Sequence, residues 1–126
     1  MFRIPKDLDL SPVVGRFTTQ LRIGSADLQF RFDNGSRLPG AVNFAVQSVV
    51  DLFRAGELVG HWEAGRWPDP GFYEILNIEV IRWEVPNVWL IVLEFANGIE
   101  MHLEDDSDQY ESMQISFEGN PTEVII

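Results

Sequence analysis

The stretch "LIVLEFANGIEMHL", residues 90–103, decides the fold of this chain. Two apolar segments flank the pair Asn97-Gly98, and an Asn-Gly pair between apolar segments is typical of a tight β-hairpin. Because both faces of residues 89–93 are apolar, we expect the first strand to be central and covered on both sides. The stretch therefore predicts two antiparallel strands joined by a short bend.

The length of the bend follows from the side chains that must share one face. A two-residue loop would place Glu100 opposite Phe95 on the core face. A three-residue loop, residues 96–98, lets Gly98 take the left-handed conformation required at its last position. This longer loop pairs apolar residues throughout: Phe95 with Ile99, Leu93 with Met101, and Ile91 with Leu103. We therefore predict the three-residue bend.

A related hairpin is predicted in the N-terminal half of the chain. Aligning Asn34-Gly35 with Asn97-Gly98, with one residue inserted in the second copy, superposes apolar residues: Leu21 on Trp83, Leu28 on Ile91, Phe30 on Leu93, Phe32 on Phe95 and Leu38 on Met101. The same loop rule pairs Phe30 with Leu38. We predict a single domain, residues 1–126, with repeat-like halves at about residues 13–40 and 75–103.

The two predicted hairpins differ in charge. Their registers place Arg31 opposite Arg37 and Glu94 opposite Glu100, and like charges in such positions repel. Either the two hairpins or two subunits approach each other there, or the four side chains bend apart in solvent. A homodimer is therefore one interpretation that the sequence leaves open.

Residues 41–56 fit two patterns. A helical stripe of apolar residues would end at Gly56, whereas alternation within residues 42–46 and 50–52 fits two short strands. Four valines and two phenylalanines favour strands. The predicted fold class is all-β, a two-layer sandwich or partly open barrel built from two related hairpin units. The alternative is an α+β fold with one helix at residues 41–54.

Composition restricts the function classes. The 126 residues include 20 acidic and 9 basic ones, and the net charge is −11. Such a surface repels nucleic acid and attracts basic proteins. The chain has no cysteine, no apolar run suited to a signal peptide and none long enough to cross a membrane. We therefore expect a cytoplasmic protein that binds neither nucleic acid nor membrane.

The segment "MHLEDDSDQYESMQISF", residues 101–117, concentrates the acidic residues. A calcium loop is disfavoured, because Tyr110 stands where an oxygen ligand belongs and no glycine follows. The segment fits a turn whose carboxylates meet a basic partner. The candidate partner-binding residues are Asp105, Asp106, Asp108, Tyr110 and Glu111.

Two other groups of residues are candidates for ligand binding. In a strand, Glu100, His102 and Glu104 would form an outward row that could bind a metal together with His61, although a solvated face fits equally. The segment at residues 61–73 is rich in Pro, Gly and aromatic residues, and it either binds a ligand or caps the end of a sandwich. Its candidate ligand-contacting residues are Trp62, Trp67, Phe72 and Tyr73.

No catalytic motif is present in the sequence. A Gly-x-Ser-x-Gly elbow, a cysteine nucleophile and a Gly-rich phosphate loop are all lacking. We therefore predict a non-enzymatic binding module without a cofactor or a metal. The alternative is a small-ligand or metal-binding protein that uses the aromatic segment and the histidines.

Residues 93–117, "LEFANGIEMHLEDDSDQYESMQISF", resemble the C-terminal half of small uncharacterised bacterial proteins. These combine a Leu-x-Phe-x-Asn/Asp-Gly hairpin with an Asp-Asp-Ser-x-Gln-Tyr-Glu-Ser segment, and some are similar to immunity proteins of bacterial toxin systems. The resemblance implies a mainly β fold and no catalytic residue. It also implies one specific form of the binding module, an immunity-type inhibitor of a basic toxin.

Overall fold

Two antiparallel β-sheets face each other across one apolar core. The computed structural model describes residues 3–34, 40–106, 111–119 and 123–126. Within these residues there are ten strands, five in each sheet. They are β1 (Phe17–Ile23), β2 (Leu28–Asp33), β3 (Val42–Val46), β4 (Val49–Arg54), β5 (Glu57–Glu63), β6 (Val80–Asn87), β7 (Leu90–Phe95), β8 (Ile99–Glu104), β9 (Met113–Phe117) and β10 (Glu123–Ile125). The predicted all-β fold is confirmed, and it has the sandwich form.

The two halves of the chain follow the same path. The first sheet has the order β1-β2-β3-β9-β10, and the second has the order β6-β7-β8-β4-β5. Each half thus places three consecutive strands in one sheet and the next two strands in the other. The first hairpin of each half also has the same register, since Leu21 lies opposite Phe30 and Trp83 lies opposite Leu93. This matches the alignment of the two halves in the sequence.

The predicted register of the β7–β8 hairpin is confirmed. Leu93 lies opposite Met101, and Ile91 lies opposite Leu103. Gly98 has a φ of 88°, and its N–H donates to the carbonyl of Phe95 at 3.0 Å. Because the bend contains three residues, the apolar side chains of both strands point into the core.

The predicted interior position of β7 is confirmed, although β7 is not the middle strand of its sheet. The middle strand of the second sheet is β8, and β7 lies between it and the edge strand β6. Val92 is nevertheless only 7% exposed, although it points away from the core. The apolar residues on both faces of this strand therefore match its interior position and the burial of Val92.

The predicted register of the first Asn-Gly bend is wrong. Phe30 lies between Leu21 on β1 and Phe44 on β3, so both of its cross-strand positions are filled without Leu38. Arg31 likewise lies opposite Gln20 and Asn43 rather than Arg37. Residues 35–39 lie outside the described part of the chain. The strand β3, which pairs with β2, begins at Val42. Side-chain alternation does not predict how many residues separate two paired strands.

Residues 41–56 form strands, as the content of β-branched and aromatic residues indicated. Val42, Phe44 and Val46 are buried in β3, and Val50 and Leu52 are buried in β4. The alternative helix at residues 41–54 is therefore wrong. The link at residues 47–48 carries the chain from the first sheet to the second. A two-residue turn at residues 55–56 then leads from β4 into β5.

The core is rich in phenylalanine. Phe32 of the first sheet lies 6.3 Å from Phe95 of the second, measured between ring centroids, and meets Phe44 edge to face at 5.6 Å. Phe72, from a short 3-10 helix at Pro70–Ile75, lies 6.3 Å from Phe30 and closes the core beside β5. Within the described ranges, no helix is long and apolar enough to cross a membrane.

The turn between β4 and β5 carries a strained residue. Ala55 has a φ of 52° and Gly56 a φ of 82°, the pattern of a type I′ turn, in which Asn-Gly is preferred. We expect Ala55→Asn to raise the free energy of unfolding by about 0.5–1 kcal/mol, because asparagine tolerates the left-handed conformation better than alanine. Urea unfolding measures the change. The matched control is Ala64→Asn, at an exposed position without positive φ. An equal gain at both positions would contradict the assignment of strain to Ala55.

Candidate functional site

The outward side chains of the second sheet form the most strongly charged surface of the described strands. Because side chains alternate along a strand, burial of Val50, Leu52, Met101 and Leu103 turns the residues between them outward. The registers arrange these outward residues in three rows across β5, β4, β8, β7 and β6. The rows are Glu63-Val49-Glu104-Leu90-Asn87, His61-Asp51-His102-Val92-Glu84 and Leu58-Phe53-Glu100-Glu94-Arg82.

We name this surface the acidic face. It carries six carboxylates within the three rows: Asp51, Glu63, Glu84, Glu94, Glu100 and Glu104. Arg82 is the one arginine in the rows, and it pairs with Glu94. Glu94 also lies opposite Glu100, as the sequence predicted, so two like charges do face each other there. The acidic face therefore has a large excess of negative charge.

His61 and Asp51 form a close polar contact between β5 and β4 on the acidic face. His61 Nδ1 lies 2.5 Å from Asp51 Oδ1, and His61 Nε2 lies 3.6 Å from Glu63 Oε1. The hydrogen bond to Asp51 raises the pKa of His61, although partial burial opposes the rise. The backbone N–H of His61 donates to Asp69 Oδ2 at 3.0 Å, which fixes this residue on the edge strand. The contact with Asp51 thus stabilises the protonated form of His61 relative to a free imidazole.

Glu104 interacts with the same aspartate from the other side. Burial, together with the charge and a hydrogen bond of Asp51, raises the pKa of the Glu104 carboxyl. Two carboxyl groups can share a hydrogen bond only when one of them holds a proton. His61, Asp51 and Glu104 lie on three adjacent strands, and the charge of Asp51 favours the protonated form of both His61 and Glu104.

His102 has a different environment, although it lies opposite Asp51 in the register. The rings of His102 and Phe53 lie 4.6 Å apart, and His102 Nε2 lies 3.3 Å from Glu100 Oε1. The predicted outward row of Glu100, His102 and Glu104 is present. However, no group of three or more His, Asp or Glu side chains in the described ranges is arranged to hold a metal ion.

The side chain of Asp105 does not face solvent, so we remove it from the predicted binding surface. Arg3 Nη1 donates to Asp105 Oδ2 at 2.8 Å, and Ser112 Oγ donates to Asp105 Oδ1 at 2.6 Å. The Arg3 guanidinium also lies 3.7 Å from the centre of the Trp89 ring. These contacts tie the N-terminal segment to both ends of the acidic segment.

The other residues of the predicted partner-binding segment differ from one another. Asp106 is exposed and lies two residues after the end of β8, next to the acidic face. Glu111 is half-buried and accepts a hydrogen bond from Gln114 Nε2 at 2.9 Å. Asp108 and Tyr110 lie outside the described residues. The predicted role of Asp106, Asp108, Tyr110 and Glu111 in partner binding stays a prediction.

The predicted aromatic ligand loop is divided between core and surface. Trp62 and Phe72 are fully buried, whereas Trp67 is 79% exposed and Tyr73 is 64% exposed. Trp62 belongs to β5 rather than to the loop. The four aromatic side chains therefore do not form one ligand surface. Two of them have the structural role that the sequence left as the alternative, which is to close the core.

The 3-10 helix after this loop covers the free edge of β5. A Cβ atom on Gly71 would lie 2.0 Å from the carbonyl oxygen of Val59, so only glycine allows this approach. Covering a sheet edge in this way prevents it from pairing with another chain. It also leaves the outward side chains of β5, including His61, as the accessible part of the strand.

The outer face of the first sheet carries far fewer carboxylates than the acidic face. Its two complete rows are Arg22-Gln29-Ala45-Gln114-Ile125 and Gln20-Arg31-Asn43-Ser116-Glu123. Among these strand positions there is a single carboxylate, Glu123, together with two arginines. At the margin, Asp33 and Glu118 both pair with Arg31. The negative charge of the described strands is therefore concentrated on one side of the sandwich.

Sequence reasoning found part of the acidic face and missed the rest. It identified Glu100, His102 and Glu104 as one outward row, and it named His61 as a neighbour. Asp51 was missed, although alternation around Val50 and Leu52 already turns it outward. Glu94 was predicted opposite Glu100, whereas Glu63 and Glu84 join the face only through the order of the strands, which the sequence does not reveal.

A scan against protein-family models, a search of curated proteins and a search of solved structures each found no match to this chain. The resemblance of residues 93–117 to small bacterial proteins therefore stays a prediction. The functional argument rests on the charges and contacts of the acidic face.

The role of Asp105 is testable by comparison with its neighbour. We expect Asp105→Ala to lower the free energy of unfolding by about 2 kcal/mol, because the Arg3 guanidinium and the Ser112 hydroxyl lose a buried acceptor. Asp106→Ala, one residue further and exposed, should change it by less than about 0.5 kcal/mol. Urea unfolding of both variants measures the difference. Equal effects would show that the buried contacts of Asp105 do not stabilise the fold.

The contact between His61 and Asp51 makes stability depend on pH. Because the pKa of His61 is raised in the folded state, the contact stabilises the fold fully below the unfolded pKa of about 6.5, and this contribution is lost as pH rises through the folded pKa. His61→Gln should therefore lower the free energy of unfolding by about 0.5–1 kcal/mol in mild acid and by less in mild base. Denaturation at both pH values tests this. In an Asp51→Asn background the difference should shrink, and a loss independent of pH would contradict the assignment.

Proposed function

We propose that this chain is a non-enzymatic binding module that docks a basic protein partner on the acidic face. The observation that carries the proposal is the uneven charge of the sandwich. Six carboxylates and one arginine lie in the rows of the second sheet, against one carboxylate and two arginines in the rows of the first. Such a surface attracts a positively charged partner and orients it during approach.

The geometry of the face also supports docking. Five hydrogen-bonded strands place the carboxylates on one continuous surface, and the backbone pairing between the strands holds their positions. Glu84 and Glu100 are exposed, and so is Asp106, two residues after β8. A partner with lysine or arginine side chains can therefore reach several carboxylates at once without a rearrangement of the backbone.

The more specific form of the proposal is an immunity-type inhibitor that neutralises a basic toxin. It is supported by the resemblance of residues 93–117 and by the acidic composition of the chain. An inhibitor of this kind needs affinity and electrostatic steering rather than catalytic groups. A basic toxin encoded beside this chain would be the partner to test first.

The binding experiment compares the two sides of the sandwich with a defined probe, a rhodamine-labelled decalysine peptide. Neutralising two carboxylates of the acidic face, Glu84→Gln with Glu100→Gln, should weaken binding about three- to tenfold at low salt, with a smaller change at high salt. Fluorescence anisotropy gives the Kd.

The matched control is Glu123→Gln together with Asp27→Asn, which removes the same charge. Glu123 lies on the outer face of the first sheet and Asp27 lies in the turn before β2. We expect this control to keep the affinity of the unaltered chain. If it weakens binding as much as the face variant, the peptide responds to net charge alone and the proposed docking surface is wrong.

A further inference from the structure

We propose that the acidic face is a proton-sensitive docking surface, which holds its basic partner at neutral pH and releases it in mild acid. The sensing group consists of His61, Asp51 and Glu104. This inference rests on the proposed function, because release presupposes binding at the face. It adds a regulation of that site that follows from how its side chains contact one another.

The geometry of the sensing group connects three strands. His61 Nδ1 on β5 lies 2.5 Å from Asp51 Oδ1 on β4, and Glu104 on β8 lies opposite Val49, two residues before Asp51 on the same face of β4. Asp51 therefore lies between two groups that can each take up a proton, and its negative charge stabilises the protonated form of both.

The remaining charged groups around the sensing group reinforce this effect. Glu63 on β5 faces His61 at 3.6 Å, Asp69 accepts the His61 N–H, and Asp106 lies beyond Glu104. From β8, Glu100 and His102 face β4, with the His102 ring against Phe53. The neighbours on β7 in the same rows are apolar, namely Leu90 and Val92. Arg66 is the nearby cation, with its Nη1 3.3 Å from Glu63 Oε1. Carboxylates still outnumber it, and no arginine in the three rows lies opposite any of the sensing side chains.

The direction of the switch follows from the charges. On acidification His61 gains a positive charge and Glu104 loses a negative one, and both pKa values are raised, through Asp51 for His61 and mainly through burial for Glu104. Lysine and arginine of a partner stay charged throughout this range. The face therefore loses attraction while its partner keeps its charge. By linkage, a bound cationic partner must also oppose protonation of His61.

The first experiment follows binding of the rhodamine-labelled decalysine peptide from about pH 8 to about pH 5, above the range in which ordinary carboxyls titrate. We expect the Kd to rise about five- to tenfold, the effect of two charges at contact distance in a hydrated surface. Asp51→Asn should move the midpoint of this rise to lower pH, and His61→Gln should reduce its size. Glu123→Gln, on the other sheet, should change neither the midpoint nor the fold-change.

The second experiment measures the titration of His61 directly. In NMR titrations of the histidine rings, saturating decalysine should lower the titration midpoint of His61 relative to the free protein, and Asp51→Asn should lower it in the free protein. Together the experiments separate two failures. Absence of decalysine binding at neutral pH overturns the proposed function and this inference together. Binding whose pH dependence is the same in Asp51→Asn and His61→Gln as in the unaltered chain overturns only the sensing group.

Discussion

The register between β7 and β8 is the constraint on which the rest of the structure depends. Gly98, in its left-handed conformation, makes the bend three residues long and so decides which side chains share a face. A slip of β8 by one residue would turn Met101 towards solvent and bring His102 into the core. The same register therefore determines both the apolar core and the acidic face, and a change of register would alter both.

What the sequence could predict was limited to what alternation and local turns determine. The β7–β8 register followed from parity alone, and β3 and β4 followed from their valines and phenylalanines. The first Asn-Gly bend was mispredicted because both Leu38 and Phe44 would place an apolar side chain opposite Phe30 on the core face. The structure has Phe44 at that position. The alternation of side chains along a strand predicts which face of the sheet a residue lies on, but not which strand lies beside it.

The candidate site was harder to predict than the fold, for the same reason. The contact between His61 and Asp51 requires β5 beside β4, and the contact between Asp51 and Glu104 requires β8 on the other side. Asp105 looked like a surface residue because its neighbours are acidic, yet Arg3 reaches it from the other end of the chain. Long-range pairing of this kind leaves no local signal, so the charge of the segment was a misleading guide to its exposure.

The exchange of strands between the two halves has a consequence for synthesis of the chain. The strands β3 and β4 are neighbours in sequence but belong to different sheets, and their second partners are β9 and β8. While the ribosome is still making the residues before 99, both strands present an open edge, and an open edge can pair with another nascent chain. Neither sheet can be completed from the first half alone. The apolar strands β3 and β4 of the nascent chain therefore remain only half covered until β9 and β8 have been synthesised.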